Sequence, residues 1–250
     1  MAPKRRPFQG VLNILSFNRH FYFIGIGVLF LFIFLVRYFQ WPSFLSWLII
    51  IAFLYGLIMP LVVSAYVYDF SGYYDFQWLK KQVSKEVDVK NIVNINAGFD
   101  ETSFILEDHF PGADIRVFDF YDSKRHTEPA IKRARKVSMV YPNTQVISSG
   151  AIPLGDHSID EVFLLSAVHE IRSPAEKIIF LKECHRICKP GGQIIMVEHL
   201  RDFPNFLAFT VGFTHFFSKR TWMEAFQNAG FSSFEETKFT PFMSVFRCSP

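Results

Sequence analysis

Three cysteines in 250 residues, Cys184, Cys188 and Cys248, are too few and too odd in number for a disulfide framework. Sparse thiols suit a reducing compartment. Cys184 and Cys188 would share one helix face with His185 between them, but nothing else completes a ligand set. The pair therefore reads as buried helix, and no metal is expected. Internal repeats and low-complexity segments are also lacking, which excludes a solenoid or a disordered tail. The net charge is only +3, and the 26 Lys and Arg residues form no stripe interleaved with aromatics. Nucleic acid is accordingly not expected as a partner.

Charge itself is missing from two stretches, Phe21–Val36 and Tyr38–Tyr68. Each approaches or exceeds the roughly 20 apolar residues that cross a bilayer core. The reading is a hairpin of two transmembrane helices, near Phe21–Phe39 and Phe44–Tyr66, joined at Trp41-Pro42-Ser43. Proline turns the chain out of helix there, Trp41 suits an interface, and Pro60 should kink the second span. Lys4, Arg5, Arg6 and Arg19 precede the first span and Lys80, Lys81 and Lys85 follow the second, with only Arg37 near the turn. The positive-inside rule puts both ends in the cytoplasm. A signal peptide fits poorly, because the apolar run starts late, is too long and lacks a small-residue cleavage site. A buried core hairpin and an interfacial hairpin are the remaining alternatives. The segment Tyr66–Phe76 then carries four tyrosines, read either as interface anchors or as a flap over a site.

The rest of the chain is long enough for one α/β domain. Its most informative stretch is Ile152-Pro153-Leu154-Gly155-Asp156-His157-Ser158-Ile159-Asp160-Glu161-Val162-Phe163, then a charged helix, then Lys189-Pro190-Gly191-Gly192 and an apolar strand to Glu198. Strand, helix, glycine turn and strand in that order make a parallel βαβ crossover. This stretch resembles the second half of class I S-adenosylmethionine (SAM)-dependent methyltransferases, in particular the small-molecule and quinone-methylase branch. "Helix, Ala229-Gly230-Phe231, strand" is a further likeness. The resemblance covers roughly Asn91 to Arg247. It implies an α/β, Rossmann-like, mostly parallel seven-stranded sheet with an antiparallel last strand, preceded by the two transmembrane helices. The expected divisions are a basic cytoplasmic N-terminus (1–20), the hairpin (21–66), a juxtamembrane linker (67–90) and the methyltransferase domain (91–250).

The resemblance also places the cofactor, SAM. The family has an acid and a Gly-x-Gly-x-Gly turn after the first strand; here Asn94 stands at the acid, Asn96 at the first glycine, Gly98 at the second and Asp100 at the third. Asparagine tolerates left-handed backbone better than other non-glycine residues. Asp119, with Phe120 beside it, ends a second strand about 20 residues on, where a carboxylate accepts two ribose hydroxyl bonds. Gly150 and Ala151 fall where the family puts an adenine-binding Asp, so their backbone would serve, and Ser166 follows the fourth strand. The helix Thr127–Arg135 has a basic face, whose default is solvent. Ligands of open α/β sheets sit beyond the carboxyl ends of the strands. That location makes His169, Glu170, His199 and Arg201 the candidate catalytic residues: histidine or glutamate as base, Arg201 as a clamp for an anionic acceptor.

The expectation is a membrane-anchored methyltransferase, at the inner (cytoplasmic) membrane with its domain in the cytoplasm. It would move a methyl group from SAM to a lipophilic small molecule or lipid. The rival is a non-catalytic membrane protein that kept a degenerate methyltransferase fold. A nicotinamide oxidoreductase is disfavoured by the missing Gly-x-Gly-x-x-Gly turn.

Overall fold

In a computed structural model, which describes residues 5–79 and 89–250, the two charge-free stretches form helices close to the expected bounds. A short helix α1 (Gln9–Phe17) is followed by α2 (Arg19–Tyr38) and α3 (Ser43–Ala65), with Pro42 extended at the connection. Helix α3 runs on through Pro60 and widens into a π turn at Tyr66–Phe70. Within the most apolar windows of the two long helices only 6% and 11% of residues are buried. A core hairpin would be covered; this one turns its Phe, Leu and Ile side chains outward. Lys80, Lys81 and Lys85, on which part of the topology reading rests, lie outside the described residues.

The domain alternates strand and helix: β1 (Asn91–Asn96), α4 (Ser103–His109), β2 (Asp114–Asp119), α5 (Pro129–Ala134), β3 (Gln145–Val146), β4 (Ile159–Leu165), α6 (Pro174–Ile187) and β5 (Cys188–His199). Helices α7 (Phe203–Phe209) and α8 (Lys219–Ala229) and strands β6 (Ser233–Thr240) and β7 (Met243–Ser249) complete it. The seven strands lie in the order β3-β2-β1-β4-β5-β7-β6, and β7 is antiparallel to both its neighbours. Helix ends follow local chemistry. Ser173 and Ser218 cap α6 and α8 by accepting amide bonds, Pro174 opens α6, and Gly230 closes α8 at φ 101°.

Two expectations about the strands need correction. The third strand, read as Thr144–Ala151, is only two residues long, because Ser148 and Ala151 pair with each other across a turn. Lys189-Pro190-Gly191-Gly192 does not precede the fifth strand but lies inside it as an irregularity in the β4–β5 ladder. Gly192 is required there. A Cβ would stand 2.7 Å from the Asp160 carbonyl oxygen and 2.9 Å from Cys188 Sγ. Asp160 then bonds the Lys189 ammonium at 2.6 Å and the Asn91 amide at 2.9 Å. Burial alone would raise its pKa; those bonds outweigh burial and hold it below the ordinary value.

The central strands are apolar on both faces, as a covered parallel sheet demands. Val162, Leu164, Ile194 and Met196 face one core, with Phe180, Trp222 and Phe17. Phe163, Leu165, Ile195 and Val197 face the other, with Val63 and Val67 from the end of the second apolar helix and Phe76, Trp78 and Leu79. Burying each of those last five side chains stabilises by about 1.5–3 kcal/mol, so gross on the order of 10 kcal/mol holds this segment to the sheet. Within the expected linker Val67, Tyr73, Phe76, Trp78 and Leu79 belong to the core. The second apolar helix and the domain are one packed body.

Candidate active site

The turn after β1 keeps its shape without the expected glycines. Asn96 Oδ1 accepts from the Gly98 amide at 2.7 Å, an Asx turn that stands in for the first glycine. Gly98 adopts φ 80°. Asp100 Oδ1 accepts the amides of Thr102 and Ser103 at 2.9 and 3.0 Å, satisfying free donors at the start of α4. Asn94 Nδ2 bonds Ser103 Oγ at 2.8 Å and Thr102 Oγ1 at 3.1 Å, locking the turn from below. Three buried atoms here have no protein partner: Asn94 Oδ1, Asn96 Nδ2 and Asp100 Oδ2.

Asp119 stands at the carboxyl end of β2 as expected, with Oδ1 on the Tyr121 amide at 2.9 Å. Its Oδ2 is held at 2.6 Å by Arg135, whose guanidinium also donates to Ala97 O at 2.9 Å and lies over the Tyr121 ring. The basic face of the helix read at Thr127–Arg135 is therefore not simply solvated: the Arg135 guanidinium packs onto Gly98, in the space a Cβ would take. Arg133 reaches Phe17 O and His20, tying α1 to α5. Helix α1 covers this end of the sheet. Phe17 meets Phe99 edge to face, Arg5 pairs with Glu101 at 2.6 Å, and Asp69 accepts the Gly10 amide at 2.8 Å.

Phe120 is not a ligand-facing residue. It is 1% exposed, packed against Phe180 and His126, because the strand alternation turns it into the core. Gly150 lines a cavity of about 690 Å³ between the segments that follow β2, β3 and β4, with Ser148, Ser149, Arg125, His126 and Arg172. Ala151 is exposed beside it. Ser148 and Ser149 at this rim carry no sequence signal of their own, being small polar residues in a turn.

At the other end of the cleft, Ser166 adopts φ 51°, a costly backbone for a non-glycine residue and one that clusters at functional sites. Its hydroxyl meets Tyr73 Oη at 3.2 Å. The tyrosine segment has folded over the strand ends: Tyr73 is 2% exposed, and burial raises its pKa. Tyr68 Oη lies 2.9 Å from His199 Nε2, while His199 Nδ1 donates to Phe242 O at 2.9 Å. Burial pushes His199 down to about 4, so the ring is neutral and receives the Tyr68 hydroxyl. With both nitrogens engaged, it reaches an acceptor only through Tyr68.

His169 Nδ1 lies 2.8 Å from a Glu198 oxygen, and its Nε2 lies 3.6 Å from Glu170. Burial would lower its pKa, but the two carboxylates outweigh this and raise it to about 9, so the ring is an imidazolium at neutral pH and not a ready base. Glu170 is buried, burial raises its pKa, and its Oε2 has no partner. Arg201 does not join this group. Its guanidinium is spent on the Phe216 and Thr214 carbonyls, bracing the loop after α7 against the end of β5. His215, Glu128 and a buried Lys177 do lie here. Lys177 sits over the Phe217 ring, and burial pushes it down to about 7. The sequence signal for them was weak, because each comes from a different segment.

Residues 97–196 match the methyltransferase domain family. A SAM-dependent methyltransferase from Aquifex aeolicus superposes with a TM-score of 0.52 at 14% identity, over 74% of this chain and 92% of that one. A protein from Pyrococcus horikoshii gives 0.50 at 18% identity, over 74% and 98%. Likeness at these identities establishes the fold. A highly reducing polyketide synthase from Pyrenophora dematioidea is 32% identical over 91 residues, which are 31% of this chain and only 3% of the synthase.

The residues present fit the family's cofactor. Two unpartnered acceptors and one unpartnered donor at the β1 turn complement an ammonium and a carboxylate, the two charged ends of the methionine part of SAM. Asp119 has the position to take ribose hydroxyls once Arg135 gives way. Sheet order and the match over residues 97–196 together give this chain a methyltransferase domain with the fold of the SAM-dependent methyltransferases.

Proposed function

We propose that this chain is a membrane-anchored methyltransferase that passes the methyl group of SAM to a lipophilic acceptor entering from the bilayer. One observation carries the reading. The second apolar helix continues without a break into the π turn that sets Tyr68 against His199 at the end of β5. The candidate span and the acceptor end of the cleft are thus parts of one element. Helix α7 lies along α3, with Tyr55 donating to Leu207 O at 2.7 Å. Beside that contact Phe203, Phe206, Leu207 and Val211 point outward, extending the apolar surface of the hairpin to the cleft rim.

In methyl transfer the acceptor's nucleophile bonds to the methyl carbon as the carbon–sulfur bond breaks, leaving S-adenosylhomocysteine. Alignment alone contributes on the order of 7–11 kcal/mol. A hydroxyl acceptor must also lose a proton, and Glu170, with a raised pKa and a free oxygen, is the group fitted to receive it. The rival reading, a non-catalytic protein, draws on the Arg135–Asp119 pair that fills the cofactor slot. It leaves Glu170 and the buried orphans of the β1 turn without a role.

The full chain in lipid nanodiscs should bind SAM and, given methyl-labelled SAM and a total lipid extract, move label into the organic phase. SAM binding with no label in lipid would overturn the lipophilic acceptor, and absence of SAM binding would favour the rival. For the orientation, we propose both ends in the cytoplasm. A green fluorescent protein fused after Pro250 should glow in a bacterial host, and an active alkaline phosphatase fusion at the same point would refute it.

A further inference from the structure

We propose that His169, Glu170 and His215 hold a divalent transition-metal ion, whose open position takes an oxygen of the methyl acceptor. One donor atom from each of the three lies within 4.8 Å of the others. The three come from the short helix after β4 and from the segment after α7, so no run of sequence announces them.

Both histidines are oriented in the way metal-binding imidazoles are. Nδ1 of His169 faces a Glu198 oxygen at 2.8 Å, and Nδ1 of His215 faces a Glu128 oxygen at 2.9 Å. A carboxylate partner accepts, so each Nδ1 carries the hydrogen and each Nε2 is left to offer a lone pair once deprotonated. The rings meet edge to face with centroids 5.0 Å apart. Arg172 fixes the backbone of both, donating to the carbonyls of His169 at 3.3 Å and His215 at 2.6 Å.

The independent observation is Glu170. Its side chain is 7% exposed, its Oε1 lies 3.6 Å from His169 Nε2, and its Oε2 is buried with no partner. An unpartnered buried carboxylate oxygen is costly. An ion held between it and two imidazoles removes that cost. Ligand atoms about 2.0–2.2 Å from one ion sit about 3–3.5 Å apart, so the cluster closes by roughly an ångström on binding. Two histidines and one carboxylate suit zinc or ferrous iron rather than magnesium. The imidazoles are 18% and 28% exposed, which leaves a path for the ion and an open position toward the cleft.

This inference rests on the methyltransferase reading only for its role. With the ion in place Glu170 is a ligand and no longer the base: a hydroxyl bound to the ion would lose its proton to solvent, and the resulting oxyanion would form the O–CH₃ bond as the S–CH₃ bond breaks. The binding itself is tested without turnover. The full chain, free of any affinity tag and stripped with chelator in detergent, is titrated with zinc chloride by calorimetry. One ion per chain with a micromolar or tighter Kd is expected. Glu170→Gln, which is nearly isosteric, and His215→Ala should each weaken binding by roughly 100-fold, and Glu128→Gln by about 10- to 100-fold. His157→Ala, at the opposite end of β4, should leave it unchanged. Cobalt should give a visible absorption band that Glu170→Gln abolishes. Absence of stoichiometric zinc binding, or binding that Glu170→Gln and His215→Ala both leave unchanged, overturns the site. SAM titrated into the same preparations separates the two ideas. SAM bound without zinc overturns the ion and keeps the methyltransferase, and zinc bound without SAM does the reverse.

Discussion

The two ends of the cleft are built differently. At the cofactor end, Asn94, Asn96, Gly98 and Asp100 lie within seven consecutive residues, and their bonds are made to the same turn. That end leaves three buried polar atoms unpaired and lets Arg135 occupy the space in front of Asp119. At the acceptor end, Tyr68, Glu128, His169, Glu170, Glu198, His199 and His215 arrive from five separate segments, and nearly every one is paired with another. A local turn can be shaped by its own side chains, whereas a non-local cluster needs the whole sheet to assemble it. The first leaves polar atoms open; the second is a network that pairs its charges within itself.

Substitutions that act on one end and spare the other test this division. The largest effect is expected from Glu170→Gln, which should lower turnover by about 10²- to 10⁴-fold while SAM affinity, read by calorimetry, stays put. Equal loss of both would mean that the ends are not separable. Asp119→Ala should do the opposite, weakening SAM binding by roughly 10- to 100-fold through lost charge-assisted bonds. Its melting temperature should also fall, because the substitution leaves the Arg135 guanidinium without its buried carboxylate partner.

A smaller effect is expected from pH. His199 is neutral in the fold, with its pKa near 4, and takes up a proton on unfolding near 6.5. Because the folded value is the lower one, stability is lost as pH falls from about 6.5 toward 4, by up to a few kcal/mol. Denaturant titrations across that range should show a steeper decline in the native chain than in His199→Gln. Parallel curves would mean that the imidazole is not held neutral. The smallest effect belongs to Arg135→Ala. Removing the competitor for Asp119 should tighten SAM binding by about fivefold, consistent with one partly exposed charged bond. Weaker binding would show that Arg135 supports the cofactor instead of yielding to it.

Much of the molecule could be read from local pattern. Long charge-free runs become long apolar helices, because backbone hydrogen bonds closed within one segment need no partner. The β4–α6–β5 crossover follows from two apolar strands, a capped helix and the glycines that let them approach, and Asp119 follows from its place at a strand end. Tertiary structure decided the rest. It turned Phe120 into the core and drew Arg201 away to the Phe216 and Thr214 carbonyls. It placed Arg135 on Gly98 and brought His215 and Glu128 to His169 and Glu170. Residues such as these are free to point several ways in any short segment. Only the packing of distant elements, which excludes water and sets who pairs with whom, selects one of those ways.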